Sequence, residues 1–379
     1  MSTPTHIDTD RRILLVGGGT GGHFYPLIAI AEYLNTLPSR PELYYAGPDE
    51  YDAGALQREG ITFIRIGSGK QRRYASFLNF LDVFKTFFGT WSALIKIFIL
   101  YPDVIVSKGG YTSVPVILAS AFFRIPIIVH ESDSVLGRAN RLALRFARHI
   151  ITAYDGMMLP PSSAVQHTLG IPVRSELSAP VSSDAISSFS IDPNRPVILI
   201  IGGSQGAQRI NEFVLDSLDE LLSDFTIIHQ TGTLHFDSCA QSAKVLITNP
   251  ELQQHYHPVP FLEGTSLNDA YHLAWIVISR AGSGSIQEIA LHGKPSILIP
   301  IPEEISHDQH SNAYAYARSG ATIVIEEKNL SDDLLRIEIG RMMQNPDVYR
   351  TMQEAAYAFG KKDATAQIVD LVTRVSIEH

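Results

Sequence analysis

The chain has 379 residues and a single cysteine, Cys239. One thiol builds neither a disulfide framework nor a cysteine metal cluster, which fits a reducing compartment. Metal-ligand spacing is equally scarce. His255-x-His257 and His307-x-x-His310 lack supporting partners and read as surface histidines, so no metal site is expected. Positive charge is also short, with 30 Lys and Arg against 39 Asp and Glu, and the net −9 argues against nucleic acid as the main partner. The opening MSTPTHIDTDRR has no apolar core of the kind that directs secretion. Even the most apolar stretch, 74–101, is interrupted by Asn79, Asp82, Lys85 and Lys96, leaving no uninterrupted run of about 18 residues to span a bilayer.

What remains is a globular chain, 45% hydrophobic and 18% charged, and long enough for two cores. Ile13–Val16 is a short apolar run that ends in glycines and is followed by helical spacing over Leu27–Leu37. The same grammar returns at Val197–Ile201, Gly202–Ala207 and a helical pattern through Leu222. Further buried-strand runs occur at Val104–Val106, Ile127–Val129, Thr226–Ile228, Trp275–Ile278 and Ser296–Ile299, mostly alternating with helical segments. The expectation is an α/β chain with a doubly wound parallel sheet in each half. Ser178–Pro196, rich in Ser, Pro and Asp, is the best linker candidate. Ligands of such sheets sit beyond the carboxyl ends of the strands, so both glycine turns are expected to line one cleft.

Gly17, Gly19 and Gly22 satisfy G-x-G-x-x-G between a strand and a helix, which admits a dinucleotide-dependent dehydrogenase. Two features speak against it. Leu43–Ala46 runs into Gly47-Pro48 without the acidic residue that would hold a ribose, and a one-cofactor enzyme has no need of a second glycine turn. More generally, such a turn brings backbone amides and a helix N-terminus close to a diphosphate.

The motifs Gly18–His23, Gly109-Gly-Tyr111, His130-Glu131, Pro172-Val-Arg174, Gly202–Ala207, His229-Gln230, Ser279–Gly282 with Glu288, and Gln309 with Asn312-Ala313 occur in order across about residues 13–320. Together they resemble the MurG family of peptidoglycan glycosyltransferases. That resemblance implies the GT-B fold. It also implies transfer of N-acetylglucosamine, with inversion, from UDP-N-acetylglucosamine to the 4-hydroxyl of N-acetylmuramic acid in the polyprenyl-linked lipid I, giving lipid II. No cofactor is implied. The implied organisation is an acceptor-binding, membrane-associating domain at 1–175, a linker at 176–196, a donor domain at 197–355 and a C-terminal helix at 356–379 that packs back on the first domain. Another GT-B enzyme, such as a glycolipid synthase, remains an alternative, as do a UDP-sugar epimerase and a sugar-nucleotide sensor.

Carried over residue by residue, the resemblance makes His23 and Glu131 catalytic candidates and Gly109, Gly110, Tyr111 and His130 acceptor contacts. It assigns the donor to Thr20, Gly21, Gly22, Asp133, Arg174, Ser204, Leu262, Ser283, Gly284, Ser285, Glu288 and Gln309. The chemistry suits several of these residues on its own terms. A histidine titrating near neutrality is a fit base for a sugar hydroxyl, a carboxylate accepts two ribose hydroxyls, and an amide both donates and accepts to a hexosamine. Other readings stand beside them: His23 fixing its own loop, Arg174 in a surface ion pair, and Ser285-x-x-Glu288 as a capping box. One departure is notable. The family continues His-Glu with Gln-Asn, whereas here Ser132-Asp133 follows.

A polyprenyl acceptor demands a membrane surface, and the sequence offers a candidate. Phe77, Phe84, Phe88 and Trp91 belong to the apolar stretch, and residues 61–101 hold Arg65, Lys70, Arg72, Arg73, Lys85 and Lys96 against the lone acid Asp82. Arg138, Arg141, Arg145 and Arg148 are spaced for one helical face. An interfacial segment attracted to anionic lipid fits this pattern, placing the protein on the cytoplasmic face of the membrane as a peripheral enzyme. The alternative is that the aromatics are core and the arginines solvated.

Overall fold

The computed structural model describes residues 11–69, 77–203 and 207–379, with the backbone alone for 77–84 and His307. It divides into two compact units, 1–175 together with 362–379, and 176–361.

In the first unit seven strands form one parallel sheet: β1 (Arg12–Val16), β2 (Glu42–Gly47), β3 (Thr62–Arg65), β4 (Val104–Ser107), β5 (Ile127–Glu131), β6 (His149–Thr152) and β7 (Val165–Thr168). Their order is β3-β2-β1-β4-β5-β6-β7. Unbroken apolar runs become strands here because helices cover both faces. Ile13 and Leu15 of β1 pack with the helix Gly21–Asn35 and with Ile368, Val372 and Val375 of the C-terminal helix Ala364–Ile377. Leu14 and Val16 turn the other way, to Ala93 and Ile97 of the helix Phe77–Leu100 and Val116 of the helix Val114–Phe122. The period of two along β1 thus divides two cores.

The second unit repeats the plan with six parallel strands: β8 (Val197–Ile201), β9 (Thr226–Gln230), β10 (Tyr256–Val259), β11 (Ala274–Ser279), β12 (Ser296–Leu298) and β13 (Thr322–Val324), ordered β10-β9-β8-β11-β12-β13. In both units the strand order reverses beside the first strand, between β1 and β4 and between β8 and β11. The carboxyl ends of strands at such a reversal are where open α/β sheets receive ligands.

Several expectations need correction. The first helix begins at Gly21, about two turns before the apolar periodicity at Leu27, and its opening already packs Phe24 into the core. The helical pattern ending at Leu222 is two helices, Gln208–Asp216 and Leu218–Asp224, broken at Ser217, whose hydroxyl bonds the Phe213 carbonyl and Asp332 instead. The helix Arg138–Ala143 holds only Arg138 and Arg141, so the four arginines do not share one helical face. The Ser- and Pro-rich stretch is packed on the second unit through buried Leu177, Ala185 and Ile191, with Asn268 donating to the Ala179 carbonyl at 3.2 Å.

Candidate functional site

The first site is the reversal between β1 and β4. Beyond β1 the chain turns through Gly17–Thr20 into the helix that starts at Gly21, where Thr20 and Gly22 are exposed. Gly17 is required sterically: a Cβ there would lie 2.8 Å from both the Lys108 Cβ and the His23 carbonyl oxygen. Beyond β4, Gly109 adopts φ +84, and a Cβ on it would meet the Asn140 amide oxygen at 2.5 Å. Tyr111 then places its ring against Gly19. The two turns are laced together by Lys108 N–H, which donates to the Val16 carbonyl at 2.7 Å.

His23 sits half-buried in this crossing, Nδ1 2.7 Å from the Thr20 hydroxyl. Burial depresses its pKa to about 4, the Lys108 ammonium adds to the depression, and Asp133 opposes it. The imidazole is therefore neutral at physiological pH. Lys108 is itself 1% exposed, and burial takes its amine down to about 8 against the pull of Glu131 and Asp133. Glu131 ends β5 with its carboxylate engaged by the backbone N–H of Asp133 (3.0 Å) and Gly137 (2.9 Å) and the Asn140 amide (2.9 Å). Burial raises its pKa first and Asp133 second, while these three donors pull it back. His130 is fully buried, its Nε2 2.8 Å from the Gly170 carbonyl, and burial together with Lys108 holds it well below the usual range. Glu131 thus organises the loop that presents Asp133, while the His130 ring is tied to the segment after β7. The Arg174 guanidinium stacks over the Tyr25 ring at 5.2 Å in this same unit.

In the second unit, Gly203 (φ +87) follows β8, and Ser204 lies outside the described residues. Gln230, at the end of β9, donates to the Gly203 carbonyl at 3.3 Å and accepts the Leu262 N–H at 2.9 Å. One amide therefore ties the turn after β8 to the segment after β10. Beneath it His229 lies between the Tyr256 hydroxyl (2.9 Å) and the Asn211 amide (3.1 Å), with burial alone taking it to about 3.

Beyond β11 the helix Ser283–Leu291 starts from Gly282 as its N-cap. Ser285 is inside the first turn, which rules out the capping box with Glu288. The Ser283, Gly284 and Ser285 amides open this helix. The Glu288 carboxylate accepts from the Tyr271 phenol at 3.0 Å, and its backbone carbonyl is 2.8 Å from His292 Nδ1. Tyr271 and His292 stack with centroids 4.7 Å apart. Arg280 braces the same turn, bonding the Ile299 and Pro300 carbonyls and pairing with Glu327 at 2.5 Å. Gln309 places its amide oxygen 3.5 Å from the Ile301 N–H. Among the described residues no group of three or more His, Cys, Asp and Glu could hold a metal ion.

Sequence reasoning missed the bracing: Lys108 and Asn140 in the first unit, Gln230 as a staple, and Tyr271 with His292 behind Glu288. These contacts run across 9 to 32 residues of sequence, and no local spacing announces them.

The helix Phe77–Leu100 is inverted with respect to a usual surface helix. It buries Gly89, Ala93 and Ile97, where a Cβ on Gly89 would collide with the Gly67 carbonyl, and it exposes Phe87, Phe88, Trp91 (63%), Ile95, Phe98 and Ile99 (73%). Phe122 and Arg138, Arg141 and Arg145 are exposed in the same unit. The side chains of Phe77 and Phe84 lie outside the described residues. No described helix is long and apolar enough to cross a membrane.

Comparison with known proteins finds a match of residues 13–152 to the glycosyltransferase family 28 N-terminal domain and of 197–368 to the family 28 C-terminal domain. A Clostridium botulinum protein named UDP-N-acetylglucosamine–N-acetylmuramyl-(pentapeptide) pyrophosphoryl-undecaprenol N-acetylglucosamine transferase is 34% identical, over 94% of this chain and 98% of its own. A Bacillus cereus protein of the same name, numbered 2, is 34% identical over 96% and 99%. The crystal structure of Acinetobacter baumannii MurG matches with TM-score 0.74 at 24% identity, covering 96% and 99%. A Neisseria meningitidis UDP-GlcNAc 2-epimerase matches with TM-score 0.69 at 15%, covering 96% and 100%. The epimerase likeness speaks to the fold alone.

Proposed function

The chain belongs to glycosyltransferase family 28, and from that membership we infer an enzyme that moves N-acetylglucosamine from UDP-N-acetylglucosamine to the 4-hydroxyl of N-acetylmuramic acid in lipid I, forming lipid II. The fold is α/β of the GT-B kind. The observation that carries this reading is that the similarity to the curated transferases runs through both units, 94% of the chain, so that each keeps its own equipment.

We propose that the first unit takes the acceptor and the second the donor. With the proton on Nδ1, donated to Thr20, His23 offers Nε2 to the acceptor hydroxyl. The hydroxyl oxygen attacks the anomeric carbon from the face opposite UDP, its proton passes to His23, the bond from carbon to phosphate oxygen breaks, and UDP departs with the negative charge. The amides of Ser283–Ser285, opening their helix, suit that charge as fixed donors. Glu288 receives the ribose hydroxyls in an orientation set by Tyr271. Leu262 offers its backbone to the uracil, and Gln309 meets the sugar. Glu131 and His130 act as positioning residues. Gly109, Gly110 and Tyr111 border the acceptor. The exposed aromatic face of Phe77–Leu100, with Arg138, Arg141 and Arg145, rests on an anionic membrane at the cytoplasmic face.

The test is transfer of labelled N-acetylglucosamine from its UDP donor to a short-chain lipid I analogue, with EDTA present. Turnover that survives EDTA supports the reading. Donor binding without transfer would move a glycolipid synthase to the front. Flotation with vesicles of anionic and of zwitterionic lipid tests the membrane face, and equal binding to both would sink the electrostatic part.

A further inference from the structure

Lys108 stands out as a charge that the fold does not need. Among the described residues its Nζ has no hydrogen-bond partner, and the residue is 1% exposed. An ammonium in that position costs more than an apolar side chain of similar volume, so its presence points to something it acts upon.

What it acts upon follows from where its stem lies. Gly17 is wedged between the Lys108 stem and the His23 backbone, where a Cβ would meet the Lys108 Cβ and the His23 carbonyl oxygen at the same 2.8 Å, and a Cβ on Gly110, two residues beyond Lys108, would lie 3.9 Å from the His23 ring carbon Cδ2. On the other side, the β4–β5 pairing, Ser107 with Val129, brings Lys108 beside the strand end that carries His130, Glu131 and Asp133. Thr20 bonds His23 from its own turn, and the charges that act on the ring are Lys108 from the turn after β4 and Asp133 from the turn after β5. The titratable groups coupled to Lys108 by charge are His23, His130, Glu131 and Asp133. Tyr45 donates its phenol to the Gly17 carbonyl, and Tyr111 lies against Gly19.

We propose that Lys108 and Asp133 form a pair of opposed positioning charges around His23, the buried ammonium adding to burial in keeping the imidazole neutral before transfer and the carboxylate stabilising it once it has taken the acceptor's proton. The proposal rests on the reading of His23 as the proton acceptor. The two charges act on the same ring with opposite sign, Lys108 lowering its proton affinity and Asp133 raising it. Asp133 also offsets the ammonium, whose proton affinity it raises.

The experiment titrates His23 directly, by NMR of protein labelled at histidine carbons, with the signal assigned through its loss in His23→Ala. Removing the positive charge in Lys108→Met is expected to raise the pH at which His23 titrates by roughly one unit or more, and the acid limb of kcat/KM moves up with it. Asp133→Asn placed in that variant takes both back down. No movement, or movement in the same direction for the two substitutions, overturns the proposal. Should Lys108→Met fail to fold, Asp133→Asn alone decides. Labelled lysine carbons then report Lys108 losing its proton at lower pH, and an unchanged titration overturns the pairing. Opposed shifts of His23 in a protein that transfers nothing to the lipid I analogue would support the charge arrangement while sinking the transferase reading.

Discussion

The two strand reversals are built alike and furnished differently. Between β1 and β4 the groups are titratable: half-buried His23 and the buried Lys108, His130 and Glu131, with Asp133 beside them. Between β8 and β11 the described groups are mostly neutral and paired: Gln230 on two backbone partners, His229 between Tyr256 and Asn211, and Glu288 carried by Tyr271. A site that must move a proton needs groups whose charge can change, whereas a site that must hold a nucleotide gains from donors and acceptors that cannot shift. On the function proposed above, the same fold serves chemistry in one half and recognition in the other.

Substitutions that separate rate from binding break this comparison most directly. His23→Ala is expected to lower kcat by roughly 10²- to 10⁴-fold while UDP-N-acetylglucosamine still binds, as calorimetry would read. A parallel loss of donor affinity would end the division of labour. Glu288→Ala is expected to do the reverse, weakening donor binding by about 10- to 100-fold, the cost of charge-assisted bonds, with kcat much less affected. Smaller again is Gln230→Ala. It frees the Gly203 carbonyl and the Leu262 N–H, and a rise of roughly tenfold in donor KM is expected from one lost staple.

The smallest effect concerns stability. His229 is held neutral, its pKa falling from 6.5 in the unfolded chain to about 3 in the folded protein. Between those values the unfolded chain binds the extra proton. The stabilising contribution is thus complete above pH 6.5 and declines as the pH falls toward 3. Denaturation midpoints followed from pH 7 down to pH 5 should drop, and His229→Gln should flatten that slope. A slope unchanged by the substitution would reject His229 as its source.

Much of the architecture was legible beforehand because it rests on local signals. Val197–Ile201 and Ile127–Val129 announce buried parallel strands by composition alone, and glycines directly after a strand announce the turns. Where reading failed, a distant contact had overruled the local pattern. The Ser285-x-x-Glu288 spacing looks like a cap, yet the helix starts earlier, at Ser283, and Glu288 is claimed by Tyr271, 17 residues away. The arginine spacing suggests one continuous face, yet the helix stops at Ala143. The aromatic stretch could have been core. Only the close approach of Gly89 to Gly67 reveals that its small residues face inward and its aromatics outward.

The sequence by itself determined the two α/β units and the glycine turns, because periodicity and turn chemistry act between neighbours along the chain, while His23 and Glu288 became candidates through the resemblance of their motifs to a known family. Tertiary structure alone decided that Lys108 lies buried beneath the first glycine turn, that Glu131 is engaged in holding its own loop, and that Gln230 joins two segments. Burial and electrostatic neighbourhood are set by which strand ends lie side by side, and that order is a property of the folded sheet.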